Sequence, residues 1–398
     1  MLGGAGECPY PPHMRICVVY DCLFPWTVGG GERWYRALSE SLASAGHDVT
    51  YLTLRQWDAD HPPAIPGVKV IAVGPRMDLY RAGKRRIVPP LLFGLGVGLH
   101  MLRQGRRYDH VHAASFPFFS VLALALFRPL FGYSLGIDWH EVWSRSYWRE
   151  YLGPLGRIGW WVQAWCAKVP HDAFVFSRLH GQRLAEIGRV PVLLSGEYAG
   201  GPKARAAATV PPMVLYAGRM IAEKRIDLLV DAFALVIRRR PDCRLTLSGD
   251  GPERAALAAQ VEAVGLGYAV DMPGFVTEEL LDQMMGKAAL LVQPSSREGY
   301  GMVVVEATVR AVPVVVVEGE DNAAVELVES GKNGLISADN PAALAAAIEA
   351  VLDDNPGWRL RAGRWYDANA ERLSLASSLE MVSQAISSGK EARPSGNY

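Results

Sequence analysis

Short apolar runs alternate with helical stretches along nearly the whole of this 398-residue chain. The alternation starts at "RICVVY" (15–20), continues through a glycine loop and an amphipathic stretch to "DVTYLTL" (48–54), and is still present at "VPVVVV" (312–317). Strands without a polar face, separated by helices, indicate parallel sheets covered by helices on both sides. The sequence therefore predicts an α/β protein with doubly wound, Rossmann-like sheets.

One segment, "GPKARAAATVPP" (201–212), interrupts the alternation with Gly, Pro and Ala and has no apolar periodicity. Such composition is typical of a linker, and the chain length also favours two domains. We predict an N-terminal domain at 14–200 and a C-terminal domain at 213–370. Residues 1–13 are expected to be a disordered extension, and 371–390 a C-terminal helix.

The bulk composition excludes some classes of function. Lys plus Arg and Asp plus Glu both number 41, so the formal net charge is zero, which argues against a nucleic-acid-binding protein. Five cysteines without a CxxC pair indicate a reducing, cytoplasmic environment and give no metal-ligand spacing. The N-terminus lacks the pattern of a secretory signal.

An apolar stretch at 116–137 is long enough to raise the question of a membrane span. Two prolines and an arginine interrupt it. We interpret the stretch as a buried helix at 118–127, a turn, and a buried strand at 132–138.

The first candidate site in the C-terminal domain is the strand end "YAGR" (216–219) with the loop that follows it. Arg219 can form paired hydrogen bonds to phosphate oxygens, and Lys224 adds a compact positive charge at a helix start. Charged residues near helix ends are often only solvated surface groups. In a doubly wound sheet, however, ligands bind at the carboxyl ends of strands, so Gly218, Arg219 and Lys224 are candidate ligand contacts.

A second strand end reads "LSGDGPER" (247–254). A tight turn in which glycine supplies positive φ is the simpler explanation of Asp250. Main-chain contacts of Gly249 and Gly251 with a diphosphate or a ribose remain an alternative.

The segment "SREGYGMVVVEA" (296–307) places Glu298 and Glu306 eight positions apart, with Gly299 and Gly301 between them. A helix is predicted to start near Gly301, and the N-terminus of a helix attracts anions. A carboxylate is a poor phosphate ligand but a good acceptor for hydroxyl groups. The segment therefore predicts an anion site with a ribose at one glutamate and a sugar at the other.

In the N-terminal domain, "CLFPWTVGGGERW" (22–34) opens a helix after the first strand. The dinucleotide fingerprint G-x-G-x-x-G is absent, because no third glycine stands at the required position. A glycine loop close to a reaction centre fits better, with Gly30 and Gly31 as its candidate residues.

The strand end "GIDWHEVW" (136–143) carries Asp138, His140 and Glu141. A lone histidine is more often structural. One at a strand end, beside two carboxylates, is a candidate functional residue.

Together the glycine loop, "DWHE", "AGR…EK", "GDGP", "PGFV" and "SREGYGMVVVEA" resemble the retaining GT-B glycosyltransferases of family four, over about residues 14–388. The resemblance implies two facing Rossmann-like domains, with C-terminal helices returning to the first domain. It also implies a nucleotide-diphosphate sugar as co-substrate, with UDP or GDP favoured, no other cofactor and no metal. One departure is "LLSGEYAGG" (193–201), where the family often has an Asn-Gly-Val-Asp type of segment.

Carried over residue by residue, the resemblance assigns the donor diphosphate to Arg219 and Lys224, the donor-sugar hydroxyls to Glu298, and the ribose to Glu306. It places His140 at the sugar, near its 6-position. Further donor contacts, mainly through the main chain, are implied for Gly30, Gly31, Gly218, Gly249, Phe275, Val276, Gly299, Tyr300, Gly301, Met302 and Val303.

The predicted reaction is glycosyl transfer with retention. An epimerase or hydrolase of the same fold and a non-catalytic nucleotide-sugar-binding module are alternatives, and an NAD-dependent dehydrogenase fits poorly. The acceptor is open among small molecules, glycolipids and saccharides, and the sequence does not define the oligomeric state. Peripheral membrane contact is an alternative to core packing or solvated loops for the Trp-rich stretch 139–165 and the basic segments 81–86 and 103–107.

Overall fold

The computed structural model describes residues 13–58, 61–81, 84–194 and 196–391. The predicted extension at 1–13 lies outside the described residues apart from its last residue, as do residues 82–83 of the basic segment at 81–86.

The first part of the chain forms one large parallel sheet with its helices. Its elements are β1 (Arg15–Val19), α1 (Gly30–Ser44), β2 (Asp48–Leu54), β3 (Val68–Gly74), β4 (Tyr80–Arg81), β5 (Lys84–Arg85), α2 (Val88–Gln104), β6 (His110–Ala114), α3 (Phe118–Phe131), β7 (Ser134–Trp139), α4 (Arg145–Leu152), α5 (Gly156–Lys168), β8 (Asp172–Val175), α6 (Arg178–Ile187) and β9 (Val192–Leu193).

The second part repeats this arrangement and ends in three consecutive helices. Its elements are β10 (Met213–Ala217), α7 (Ile226–Arg239), β11 (Arg244–Ser248), α8 (Arg254–Ala263), β12 (Val270–Gly274), α9 (Glu278–Lys287), β13 (Leu290–Gln293), β14 (Arg297–Glu298), α10 (Met302–Val309), β15 (Val314–Val317), β16 (Asp321–Asn322), β17 (Gly334–Ser337), α11 (Pro341–Asp353), α12 (Asn355–Leu373) and α13 (Leu375–Glu391).

Both main sheets are parallel and have the same connectivity. The strand order is β3-β2-β1-β6-β7-β8-β9 in the first sheet and β12-β11-β10-β13-β15-β17 in the second. The order reverses between β1 and β6, and again between β10 and β13. In open α/β sheets, ligands bind outside the carboxyl ends of the strands at such a reversal. The topology therefore marks one candidate binding region on each domain.

The central strands of both sheets are buried on both faces, as their near-continuous apolar runs predict. All four residues of β15 and all five of β6 are buried. Among the described cysteines, Cys17, Cys166 and Cys243 are buried thiols. Their burial raises the pKa of Cys166 to about 12 and that of Cys243 to about 11, so both stay protonated at neutral pH.

The apolar stretch at 116–137 differs in detail from its prediction. α3 does not end at residue 127 but continues through Pro129 to Phe131, and the strand begins at Ser134 rather than at 132. A proline removes only one helical N–H donor, and here the helix ends instead at Gly132, whose φ of +72° is left-handed and whose N–H donates to the Arg128 carbonyl at 2.8 Å. None of the helices that the structure describes is both long and apolar enough to span a bilayer.

The C-terminal helices return to the first domain. The predicted helix at 371–390 corresponds to α13, which begins four residues later, after α12 ends at Leu373. The Ser378 hydroxyl accepts from the Gly196 N–H at 2.8 Å and donates to the Gly196 carbonyl at 2.6 Å. These contacts fix α13 against the end of the first domain.

Candidate active site

A cleft of about 1580 Å³ separates the carboxyl ends of the two sheets, and most of the residues predicted from the sequence as site residues line it, whereas Asp138 and Gly251 do not. Those that line it include Gly30, Gly31, His140, Gly218, Arg219, Lys224, Gly249, Phe275, Val276, Glu298, Gly299, Tyr300, Gly301, Met302, Val303 and Glu306.

The end of β10 forms the first part of the second-domain wall. Gly218 follows the strand with a φ of +159°, and the exposed Arg219 is held through its carbonyl, which accepts from the Tyr216 hydroxyl at 2.9 Å. Gly249, at the end of β11, has a φ of +140°, and a Cβ there would lie 1.8 Å from the Gly218 carbonyl oxygen. Gly249 is therefore required for the packing of two strand ends, whatever ligand binds beside them.

Glu298 is the most strongly fixed carboxylate of the cleft. Its Oε1 accepts from the Lys224 ammonium, from the Gln293 amide at 2.6 Å and from the Ser295 hydroxyl at 2.7 Å. Charge-assisted hydrogen bonds of this kind are stronger than those between neutral groups. Gln293 and Ser295 were not predicted from the sequence. Gln293 is the last residue of β13 and Ser295 follows two positions later, so their position at a strand end is the signal that would identify them.

The Lys224 side chain is 20% exposed and ends at Glu298. The ammonium thus lies inside the cleft, at the end of the short 3-10 turn Ala222–Lys224. A diphosphate entering the cleft would compete with Glu298 for this charge.

The helix α10 begins at the cleft. Gly301 caps it with a left-handed φ of +100° and has no side chain to cover the first N–H groups, which at any helix start lack intrahelical partners. Glu306 lies half-buried farther along the helix, and burial raises the pKa of its carboxyl above the ordinary value, despite the opposing charge of Arg310. The Arg310 guanidinium donates to the Glu306 carbonyl, which fixes the end of this turn.

Gly299 permits a close approach, but to the first domain rather than to open cleft. A Cβ at this position would lie 2.8 Å from the His140 carbonyl oxygen and 3.1 Å from the Glu141 Cγ. The main chain of one domain therefore packs directly on that of the other at this point. In the glycine loop of the first domain, a Cβ at Gly31 would lie 2.9 Å from the hydroxyl of Tyr20, which belongs to the same domain.

His140 stands opposite, just after β7. Its ring stacks on Phe176 with centroids 4.7 Å apart, and its Nδ1 lies 3.6 Å from the Glu197 Oε1. The buried Nε2 has no hydrogen-bond partner among the described residues. Burial is the largest influence and lowers the pKa of His140, but Glu197, with smaller contributions from Asp138 and Glu141, outweighs it and raises the pKa overall.

Asp138 does not line the cleft, although it belongs to the same strand end as His140 and Glu141. It is fully buried beneath the site, where it accepts from the Trp34 indole at 2.7 Å and contacts His112 Nε2 at 2.9 Å. The carboxylate belongs to the end of β7 itself, whose last residues are all buried, and so it points into the core.

Glu141 and Arg297 join the two walls. The Arg297 guanidinium pairs with Glu141 of the first domain and lies 3.6 Å from Glu223 of its own domain. Glu141 also accepts a hydrogen bond from the Trp143 indole at 2.7 Å. The Arg297 guanidinium also lies 4.3 Å from the centre of the Tyr147 ring. Arg297 was not predicted as a site residue from the sequence, although it immediately precedes Glu298.

Aromatic side chains line the mouth of the cleft on the first domain. Trp143 contacts Tyr147, Tyr151 and Phe116, with ring centroids 4.9, 5.2 and 5.6 Å apart. Other tryptophans of the stretch 139–165 differ in exposure. Trp139 and Trp148 are buried in the core, as core packing predicts, whereas Trp161 and Trp165 are 55% and 62% exposed.

Comparison with known proteins identifies the family. A model described as Glycosyltransferase Family 4 matches residues 28–192, and one described as Glycosyl transferases group 1 matches residues 202–369. Between them they cover most of both domains, and the second match starts within the linker. The chain is a GT-B glycosyltransferase of the family-four type.

The curated relatives of this glycosyltransferase include a kanosaminyltransferase and a glycogen synthase. It is 35% identical to the alpha-D-kanosaminyltransferase of Streptomyces kanamyceticus over 36% of this chain, and it spans 37% of that relative's length. It is 29% identical to the glycogen synthase of Mycobacterium tuberculosis over 88% of each chain.

Solved structures share the fold of this glycosyltransferase at low sequence identity. Sucrose-phosphate synthase from Thermosynechococcus elongatus superimposes with a TM-score of 0.78 at 18% identity, covering 96% of this chain and 100% of the other. The Anabaena Alr3699/HepE structure in complex with UDP and glucose gives a TM-score of 0.70 at 18% identity, over 94% and 100% of the two chains. At this identity the likeness establishes the GT-B fold alone.

Proposed function

We propose that this glycosyltransferase moves a sugar from a nucleotide-diphosphate sugar to a hydroxyl acceptor with retention of the anomeric configuration. The observation that carries the proposal is the arrangement of the second-domain wall. Arg219, Lys224 and the start of α10 provide positive charge there, and Glu298 and Glu306 flank them with carboxylates. Phosphates suit the first set, and sugar and ribose hydroxyls suit the second.

The reaction would break the bond between the anomeric carbon and the diphosphate oxygen. The acceptor oxygen would form the new bond on the same face of the sugar, and its proton would pass to the departing phosphate oxygen. Arg219, Lys224 and the α10 N-terminus would stabilise the negative charge that develops on the diphosphate, which is usually the largest single catalytic contribution. These groups supply that charge without a metal, so we expect turnover to persist in EDTA.

Glu298 would hold the donor sugar rather than attack it. A double-displacement route needs a carboxylate nucleophile close to the anomeric carbon, on the face opposite the leaving group. The Oε1 of Glu298 is bound by three donors, which suits a positioning group. His140, with its unpartnered Nε2 across the cleft, would contact the same sugar.

The choice of UDP or GDP as donor nucleotide rests on relatives. The solved Anabaena protein binds UDP and UDP-glucose by its description. A mannosyltransferase of M. tuberculosis, described as dependent on GDP-mannose, is 26% identical over 41% of this chain. A thermal-shift panel of UDP, GDP and their sugars would separate these donors, because a ligand that binds the folded state raises the melting temperature.

Product analysis tests the reaction itself. With donor and acceptor, we expect a glycoside whose anomeric configuration matches that of the donor. The one-bond coupling constant between the anomeric carbon and its proton identifies this configuration. An inverted product would contradict retention. Free sugar in the absence and presence of acceptor would indicate a hydrolase, a changed donor sugar an epimerase, and ligand binding without turnover a binding module.

A further inference from the structure

Three helices, α2, α3 and α5, form a continuous layer on one side of the first domain. α2 and α3 approach closely, since a Cβ at Gly94 would lie 2.6 Å from the Cβ of Phe119. α5 packs on the other side of α3, where the Cys166 thiol lies 3.7 Å from the Phe118 carbonyl. Their outward sides therefore form one surface.

That surface is apolar at helical spacing on each helix. Of the exposed large hydrophobic residues in the described chain, more than half lie on these three helices or at their first turns. Exposed fractions range from 36% to 68%. We call this set the apolar face: Ile87, Val88, Leu91, Leu92, Leu95, Leu99, Leu102, Leu126, Leu130, Leu155, Ile158, Trp161 and Trp165.

The inward sides of the same helices are also apolar. Phe93, Val97 and Met101 of α2 and Val121 and Leu124 of α3 are fully buried. A helix that faces water normally carries polar residues on its outer side, and one that is apolar all round is normally buried. An exposed apolar surface of this extent marks an interaction site.

The charges on these helices all have one sign. α2, α3 and α5 contain no Asp or Glu, and carry the exposed residues Arg103, Arg157 and Lys168. Arg128 of α3 is half-buried, and its guanidinium donates to the Pro170 carbonyl at 2.8 Å. The turn that follows α2 adds two exposed residues, Arg106 and Arg107. Basic side chains around an apolar surface suit the phosphate headgroups above a hydrocarbon layer, because the long stems stay in apolar contact while the charges reach the phosphates.

We propose that the apolar face binds the surface of an anionic phospholipid bilayer. The leucines and tryptophans would enter the interface between headgroups and acyl chains, and the exposed arginines and the lysine would contact lipid phosphates. A second copy of this chain fits less well, because a two-fold interface would bring the same patch, with charges of one sign, against itself.

Docking in this way would bring the cleft close to the bilayer. Phe118, the first residue of α3, lines the cleft, and α3 has 14 residues. At 1.5 Å per residue, the far end of that helix is about 20 Å away. Acceptors held in a membrane would then lie near the first-domain wall. The binding itself is independent of the donor and of the reaction proposed above.

The test is sedimentation of the full chain with vesicles of two compositions, phosphatidylcholine alone and phosphatidylcholine with about 30 mol% phosphatidylglycerol. This share of anionic lipid is chosen to imitate a strongly anionic membrane. We expect binding to the anionic vesicles and little to the neutral ones. The triple substitution Leu95→Gln, Leu99→Gln and Leu126→Gln should abolish it. The matched control replaces Tyr268, Leu280 and Leu360, three exposed apolar residues of the second domain, by Gln and should bind as the wild type does.

The charges give a second, independent readout. Replacing Arg103 and Arg107 by Gln should lower the partition coefficient about fivefold for each charge removed, with a matching loss of salt dependence. Absence of binding to anionic vesicles, or equal binding by the triple variant, would overturn the proposal. So would a concentration-dependent dimer in sedimentation velocity without lipid that the triple variant loses, because it would assign the face to a second copy.

Discussion

The two walls of the cleft are built in different ways. On the second domain, Lys224, Gln293, Ser295 and Glu298 bind one another directly, and they come from the ends of neighbouring strands and the turns that follow them. On the first domain, the His140 ring lies next to the carboxylate of Glu197, which is 57 positions farther along the chain. Its neighbour Glu141 is paired with Arg297 of the other domain.

This difference indicates that the two walls contribute to the reaction in different ways. The second-domain wall has its charges in place within one domain, as a site for a diphosphate requires, because preorganised charges need no rearrangement during the reaction. The polar groups of the first-domain wall depend in part on contacts with the second. We therefore expect substitutions in the second wall to reduce turnover most, and those at the junction to affect turnover through the closure of the cleft.

The largest effect is expected for Lys224→Ala. In the proposed function, Lys224 stabilises the negative charge that develops on the leaving diphosphate. Losing one such group typically lowers kcat by about 10²–10³. The measurement is kcat at saturating donor. Lys287→Ala is the control, because this exposed lysine of α9 lies outside the cleft and should leave kcat unchanged. Turnover within fivefold of the wild type for Lys224→Ala would contradict the assignment.

The second-domain wall was largely predictable from the sequence for the same reason that it is preorganised. Arg219, Lys224, Glu298 and Glu306 lie in short segments at strand ends, and the alternation of strands and helices locates those ends. Local pattern and local structure coincide there. Even so, the partners that fix Glu298 were missed, because a Gln and a Ser after a strand resemble ordinary loop residues.

The first-domain wall was less predictable, because its contacts join segments far apart in the chain. Nothing local indicates that Glu197 approaches His140, or that Arg297 reaches Glu141 across the cleft. Asp138 lies beneath the cleft rather than in it for a related reason. Its carboxylate has hydrogen-bond partners in the core, Trp34 and His112, which are distant in sequence. Alternation predicts which residues lie at a strand end, but not which partners are packed beneath it.

Arg297→Ala tests the junction of the two walls. It removes the pair with Glu141 and the contact with Tyr147, so the walls should lose their relative position at the reacting sugar. We expect kcat/KM to fall about ten- to a hundredfold, the range that misplacement of a substrate produces. The control is Arg178→Ala. Arg178 also pairs across the domains, with Glu326, but outside the cleft, and its main-chain N–H keeps part of that contact. Equal losses in the two variants would mean that general interdomain contact, not this junction, matters.

Glu306→Gln should separate binding from stability. Losing a charged acceptor for ribose hydroxyls should weaken donor binding about tenfold, measured by calorimetry at pH 7.5. Burial raises the pKa of Glu306 in the folded protein, so its contribution to stability is present at low pH and is lost as pH rises through that raised pKa. At pH 7.5 the variant should therefore melt about 1–3 °C higher than the wild type. Glu262→Gln, at an exposed position of α8, should change neither property. Weaker binding without increased stability would contradict the burial argument.

The smallest effect is expected for His140→Gln in the ligand-free protein, and its sign depends on pH. Glu197 and the nearby carboxylates raise the pKa of His140 above its ordinary value of about 6.5. The protonated form then stabilises the fold below that value, and this contribution is lost as pH rises through the raised pKa. The wild type should exceed the variant in free energy of unfolding by more at pH 5.5 than at pH 9, with a difference below about 1 kcal/mol. Urea unfolding at the two pH values measures it, with His61→Gln, at an exposed position, as the control. If the difference instead grew towards high pH, burial would outweigh Glu197, and the first-domain wall would hold a neutral histidine.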